Sequence, residues 1–157
     1  MWEERAYRTR RDIAALGASG LGVSDLHNAA IRLIENRVGT DLTCWATIDP
    51  ETLVISTMTG ARVAPDYELW LAGSEYSANE PHTFAALALR KQPMARFTDL
   101  PDRDRTRSIR FNEVWRPLGV NQELRVLFLA DGACWGAAGM VRAGHDFTDR
   151  ETDFLTA

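Results

Sequence analysis

The chain is poor in cysteine, and the two it has, Cys44 and Cys134, each sit inside an apolar run. Such placement offers no disulfide framework and no Cys-x-x-Cys metal or redox pair, and it fits a reducing compartment. Surplus positive charge is also lacking: 18 Lys+Arg stand against 22 Asp+Glu, a formal net charge of −4. A domain that grips nucleic acid needs excess cations to displace counterions from phosphate, so this stretch is not expected to hold DNA itself. Lysine is almost missing, with Lys91 the single lysine among the basic residues, a bias that together with abundant alanine is usual for a high-GC genome. No run approaches the roughly 20 uninterrupted apolar residues of a membrane helix. The start, Met1-Trp2-Glu3-Glu4-Arg5, lacks the basic-then-apolar layout of a signal peptide. A cytoplasmic location away from membranes is expected.

What is present is 157 residues with 45% hydrophobic composition, enough for one domain with a real core spanning 1–157. At the chain's end, Thr148-x-x-Glu151 is a capping box, in which hydroxyl and carboxylate satisfy free helix N–H groups. The helix it opens is barely two turns old when the sequence stops, with no Gly or Asn stop signal after Leu155. A fragment of a longer protein is expected.

Residues 3–16, with apolar positions at Ala6, Ile13 and Leu16 and Gly17 behind them, predict a first helix. Ser24 is the expected N-cap of a second, whose Leu26, Ala30, Leu33, Ile34 and Val38 recur at three-and-four spacing before Gly39. Residues 42–48 and 53–58 are β-branched and aromatic-rich, joined by a four-residue loop, and predict a hairpin. The stretch 65–117 is irregular, with helical patches at 66–77 and 83–91, an extended piece at 94–97, then Arg-rich turns. Residues 124–130 and 133–141 flank Asp131-Gly132, the strongest hairpin signal in the chain. Both faces of the first of these strands are largely apolar, which requires a central strand covered on each side. Gly136, Ala137, Ala138 and Gly139 leave room for another group to approach. The pattern predicts an α+β domain: a central antiparallel sheet of about five to six strands, terminal helices on one face, and a helical and loop cover over a pocket on the other.

Several motifs carry a family likeness: Arg107-Ser108-x-Arg110-Phe111-x-Glu113, Pro117-Leu118-Gly119, Glu123-Leu124-Arg125, Trp135-Gly136, Arg142, and Phe147-Thr148-x-x-Glu151-x-x-Phe154-Leu155. With the element order they resemble GAF domains, and more narrowly the GAF-like N-terminal sensor domains of actinobacterial LuxR-type transcription regulators. The resemblance implies a GAF/PAS-like fold, a sensing role, and a final helix running toward a helix-turn-helix domain beyond residue 157, through which alone DNA would be contacted. The Asn-Lys…Phe-x-x-x-Asp-Glu pattern of cyclic-nucleotide-binding GAF domains is missing from the sequence, which argues against that ligand.

Chemistry-bearing patterns are sparse. His27, His82 and His145 share no metal-ligand spacing with the cysteines, so no metal or cofactor is expected. His82 follows Asn79-Glu80-Pro81 where a helix starts over the presumed pocket; it reads as a cap or surface residue, with a haem or polar-ligand contact as the alternative. Cys44 lacks a neighbouring cation to activate it and reads as packing. No serine lies in a nucleophile elbow, and Gly17-x-x-Gly20-x-Gly22 follows a helix where a dinucleotide loop would precede one, so an enzyme is not expected. The aspartates interleaved in 101–110 predict an internally paired loop, with Arg107 or Arg110 anchored to Glu113 or Glu123; anion recognition by Arg110 is the alternative.

Five tryptophans raise the question of an aromatic cavity, with Trp70, Trp45 and Trp135 as its candidates beside plain core packing. Cys44 and Trp45 must point to opposite sheet faces. The candidate pocket set is Cys44, Trp45, Trp70, His82, Phe84, Arg110, Phe111, Leu124, Val126 and Met140, with Ile13, Leu16, Phe154 and Leu155 on the helices that would pass a signal or pair in a homodimer. An unknown small molecule is the expected partner; the alternative is a ligand-free dimerisation scaffold.

Overall fold

The computed structural model describes residues 1–60 and 62–157. Two long helices, α1 (Trp2–Gly17) and α2 (Val23–Val38), precede the hairpin of β1 (Leu42–Ile48) and β2 (Ile55–Thr59). The middle of the chain supplies α3 (Pro65–Glu75), α4 (Phe84–Leu89), the three-residue β3 (Met94–Arg96), a 3-10 turn at Phe97–Asp99, α5 (Asp102–Arg107) and a π-helical turn at Phe111–Trp115. The long hairpin of β4 (Gln122–Ala130) and β5 (Ala133–Arg142) follows, and α6 (Asp149–Thr156) closes the chain. The five strands form one antiparallel sheet in the order β2-β1-β5-β4-β3.

The β4–β5 turn takes Asp131 and Gly132 to φ of 52° and 77°, the positive pair that a two-residue turn matched to strand twist requires. Gly136 is needed for space: a Cβ there would lie 2.8 Å from the Ala46 carbonyl oxygen and 2.9 Å from the Phe128 ring.

Several details differ from the sequence expectation, among them β4, which begins at Gln122. Gly22, and not Ser24, occupies the N-cap of α2, and no side chain caps that end. Strand β2 begins at Ile55 because Asp49 folds the preceding loop onto itself, accepting from the backbone N–H groups of Glu51 and Thr52 and from the Thr52 hydroxyl, while Leu53 turns to φ 60°. The Arg-rich turns are α5 and the π-helical turn. In α5, Asp102 pairs with Arg105 and Asp104 with Arg107 at 2.9 Å, each three residues apart on one helix face.

Alternation along the strands sends side chains to two cores. Trp45, Leu124, Val126, Ala138 and Met140 face α1, α2 and α6, where they meet Ala30, Ile34 and Phe154. Ala46, Leu127 and Ala137 face the middle segment with Phe84 and Leu87, and Val141 joins Leu71, Val114 and Trp115 beside them. At the end of β5, Arg142 ties the helix layer together. It donates to the Val38 carbonyl ending α2 (2.9 Å), to the carbonyls of His145 and Asp146 (3.0 and 2.7 Å), and to both Glu151 oxygens (3.0 and 2.8 Å), while stacking over Phe147. Glu151 completes the capping box with Thr148. Burial would raise the Glu151 pKa, but the Arg142 and Thr148 hydrogen bonds outweigh it and hold the carboxyl below its ordinary value. Among the described residues, no helix is long and apolar enough to cross a membrane.

Candidate functional site

The covered face of the sheet is thin at its centre. Arg125, Gly139 and Cys44 lie side by side on β4, β5 and β1, and the middle of that row has no side chain. A cavity of about 560 Å³ opens above Cys44, walled by Met58 and Thr59 of β2 and by Val63, Pro65, Leu69, Leu71 and Ala72 around α3. Inward it narrows to about 30 Å³ between Phe84, Gly139, Trp115, Glu75, Glu123 and Arg125. Cys44, Met58 and Leu71 line both parts, so the space is one mostly apolar chamber with a charged inner end.

That end is a buried ion network. Arg110, with a side chain 1% exposed, forks onto Glu123 through Nε and Nη2 at 2.7 and 2.8 Å and donates from Nη1 to Glu80 at 3.0 Å. Glu123 also accepts from the Trp115 indole at 2.8 Å. Glu80 accepts from the Ser108 hydroxyl and the Ile109 N–H, both at 2.6 Å, and thereby holds the start of the π-helical turn. Arg125 pairs with Glu75, whose second oxygen accepts from the Phe84 N–H at 2.9 Å and so fixes the start of α4. The Phe84 ring lies 3.9 Å from the Arg125 guanidinium carbon.

These contacts set the charge states. Burial would raise Glu123, yet the guanidiniums of Arg110 and Arg125, with hydrogen bonds from Arg110 and Trp115, hold its pKa down to about 2. Burial alone would lower Arg110, but Glu123, seconded by Glu75 and Glu80, takes it above its ordinary value. His82 is shifted down, chiefly by burial, and is neutral at physiological pH.

The predicted pocket residues separate into groups. Cys44 and Phe84 line the chamber. Trp45, Leu124, Val126 and Met140 lie on the opposite face, under the terminal helices, because they sit at the alternate strand positions. Trp45, Val126 and Met140 there line a second, apolar cavity of about 300 Å³ that also touches Ile13, Phe154 and Leu155. Ile13, Leu16, Phe154 and Leu155 therefore pack on their own sheet. Trp70 is 48% exposed on α3, and Trp135 is 54% exposed at the hairpin tip with its indole N–H on the Ala130 carbonyl. Phe111 stacks on Phe97 at 4.6 Å, outside the chamber. Arg110 stands behind Glu123 and lines no part of the chamber. His82 contributes its backbone: at φ 54° its carbonyl accepts from Arg125 at 2.7 Å, while that of Pro81 accepts from Arg110 at 3.3 Å.

Sequence reasoning missed Glu75, Glu80, Ser108 and Trp115 in the network, and Met58, Leu69 and Leu71 in the wall. Glu123 and Arg125 at alternate positions of a strand marked as central were the available signal, because two ionic side chains on one buried face demand partners. Among the described residues, no group of His, Cys, Asp or Glu is arranged to hold a metal ion.

No protein-family model matches the chain, and no curated protein matches it in sequence. Similar solved structures are GAF domains. One is the GAF domain/HD domain protein from Geobacter sulfurreducens, 18% identical, with a TM-score of 0.57 over 91% of this chain and 88% of that one. Another is the A. aeolicus nlh2 GAF domain in an inactive state, 10% identical, with the same TM-score of 0.57 over 97% of this chain and 86% of that one. The α+β architecture with its five-stranded open sheet is thus that of a GAF domain.

Proposed function

We propose that this domain is the signal-sensing part of a LuxR-type helix-turn-helix transcription regulator of actinobacterial type, acting in the cytoplasm. A small molecule enters the chamber between Met58, Leu71 and Phe84 and shifts the population between two packings of α3 and α4. The terminal helices α1 and α6, on the far side of the sheet, pass the shift to a DNA-binding domain beyond residue 157. The observation that supports this reading best is the chamber itself: a mostly apolar space of about 560 Å³ with a few fixed polar groups at one end, the composition of a small-molecule site. Arg142 and Glu151 supply the mechanical link, since they join β5 to α6 beneath the chamber's floor. The reading assigns no catalysis and no cofactor, because the buried acids and bases are engaged with one another.

Thermal-shift screening against metabolites tests it. A true ligand gives a saturable rise in melting temperature, and Leu71→Trp, which fills the chamber, removes that rise. A second reading, a ligand-free homodimerisation scaffold, is favoured by Tyr7, Leu21 and Val23, apolar residues 64%, 43% and 53% exposed on and between α1 and α2. It predicts a concentration-stable dimer in light scattering and no ligand response.

A further inference from the structure

The small residues of β5 thin the sheet on both of its faces. Gly139 leaves the gap beneath the chamber. Its neighbour Ala138 belongs to the opposite face, where it stands between Trp45 of β1 and Val126 of β4. A single methyl between an indole and an isopropyl group leaves a hollow, and α6, only eight residues long, does not fill it. The result is the cavity of about 300 Å³ between the sheet, α1 and α6.

The wall of this cavity is hydrocarbon. Trp45, Phe128 and Phe154 contribute rings, and Ile34, Val126 and Met140 contribute aliphatic chains. Among the described residues, Arg10 is the one charged side chain in the wall, and it is engaged. Its Nε and Nη2 donate to the Phe154 carbonyl at 3.3 and 3.2 Å, Nη2 donates to that of Asp153 at 3.0 Å, and the guanidinium lies 5.3 Å from the Phe154 ring centre. A charged headgroup entering here would exchange its water for carbon. An apolar body gains buried area and dispersion contacts, and the three rings favour a partner that offers ring edges and faces. Apolar cavities of about 150 Å³ stay dry and take up benzene; this one, at roughly twice that size, has room for two fused rings.

We infer that this cavity is a second ligand site, separate from the chamber, for an uncharged bicyclic apolar molecule that touches α1 and α6 directly. The inference does not depend on the chamber's having a ligand. The probes are naphthalene, 1-naphthoate and 1-naphthylmethylammonium, titrated by calorimetry into the unaltered chain and into the Leu71→Trp chain, whose chamber is filled. Naphthalene is expected to bind the Leu71→Trp chain one to one, and the two charged probes to need concentrations at least about tenfold higher. Bound naphthalene is also expected to slow amide hydrogen exchange along residues 149–156 of α6 and to leave residues 65–75 of α3 unchanged. Ala138→Leu, made in the Leu71→Trp chain, places three more carbon atoms in the cavity and is expected to abolish the binding. Ala14→Trp, at an exposed position in the cavity wall where a folding defect is not expected, is a second block should Ala138→Leu not fold. Binding lost with Leu71→Trp assigns naphthalene to the chamber and overturns the second site. Binding that survives both blocks, no binding at all, or protection confined to α3 overturns it as well. Charged probes binding as tightly as naphthalene, and blocked in the same way, overturn the uncharged class. None of these results decides the chamber reading, which stands or falls with the metabolite screen.

Discussion

Arg110 is the residue on which the covered half of the domain turns. Its guanidinium closes the distance between Glu80, Glu123 and the Pro81 carbonyl, so removing it strips Glu80 of its ion pair and leaves Glu123 only the longer one to Arg125 at 3.7 Å. Arg110→Met is expected to cost about 3–5 kcal/mol in urea denaturation, whereas Arg110→Met combined with Glu123→Leu recovers part of that loss, because an apolar replacement of the pair avoids the desolvation of either charge. Equal destabilisation by the single and the double change would refute this account. The same network sets an acid limit. Glu123 titrates near 2 in the folded chain against an ordinary 4.5, so its contribution to stability is complete above pH about 4.5 and fades as pH falls toward 2. Urea midpoints measured across that window should decline on acidification by an amount on the order of 3 kcal/mol, and Glu123→Gln should flatten the decline. The Arg110–Glu123 pair is legible in the sequence as one of the anchors offered for the Arg-rich loop, and Glu123 and Arg125 at alternate positions of a central strand call for partners. Glu75 lies 50 positions from its partner, and no local pattern marks a pairing of that reach.

Among the elements, α6 shows what a short motif can specify. Thr148 and Glu151 announce the start of the helix, and the structure holds both capping hydrogen bonds. At eight residues α6 is too short to persist alone, and its attachment comes from Arg142 on β5, from Phe154 in the core, and from Arg10, which donates to the Phe154 carbonyl. Thr148→Ala should therefore cost about 1 kcal/mol, the ordinary worth of a cap, while Glu151→Gln costs more because it also loosens Arg142. Amide hydrogen exchange along residues 149–156 would show the difference, and equal protection in the two variants would remove the clamp from the argument. The hairpin at Asp131-Gly132 was readable for a similar reason, since a positive-φ pair is written in two adjacent residues. Helix α5 was not, because its six residues bury no side chain and its Asp–Arg pairs look in sequence like any charged loop.

At the scale of the molecule, the sheet separates a chamber on one face from the layer of α1, α2 and α6 on the other. Ile13, on one of the helices expected to pass a signal or pair in a homodimer, packs partly buried against the core of its own chain. Ile13→Asp is accordingly expected to lower the melting temperature by several degrees through lost burial, at a cost of about 2 kcal/mol, whatever the oligomeric state. A change in light-scattering mass with no loss of stability would return Ile13 to an interface. The order of elements, the central hairpin and the α+β class were determined by the sequence alone, because periodicity and turn chemistry act between near neighbours. Which of Cys44 and Trp45 faces the chamber, and that Leu124, Val126 and Met140 do not, was decided by the tertiary structure. A strand's alternation separates its residues into two faces without saying which layer will cover either one. The charged inner end was decided there too, since it exists only where α3, α4, the π-helical turn and β4 meet.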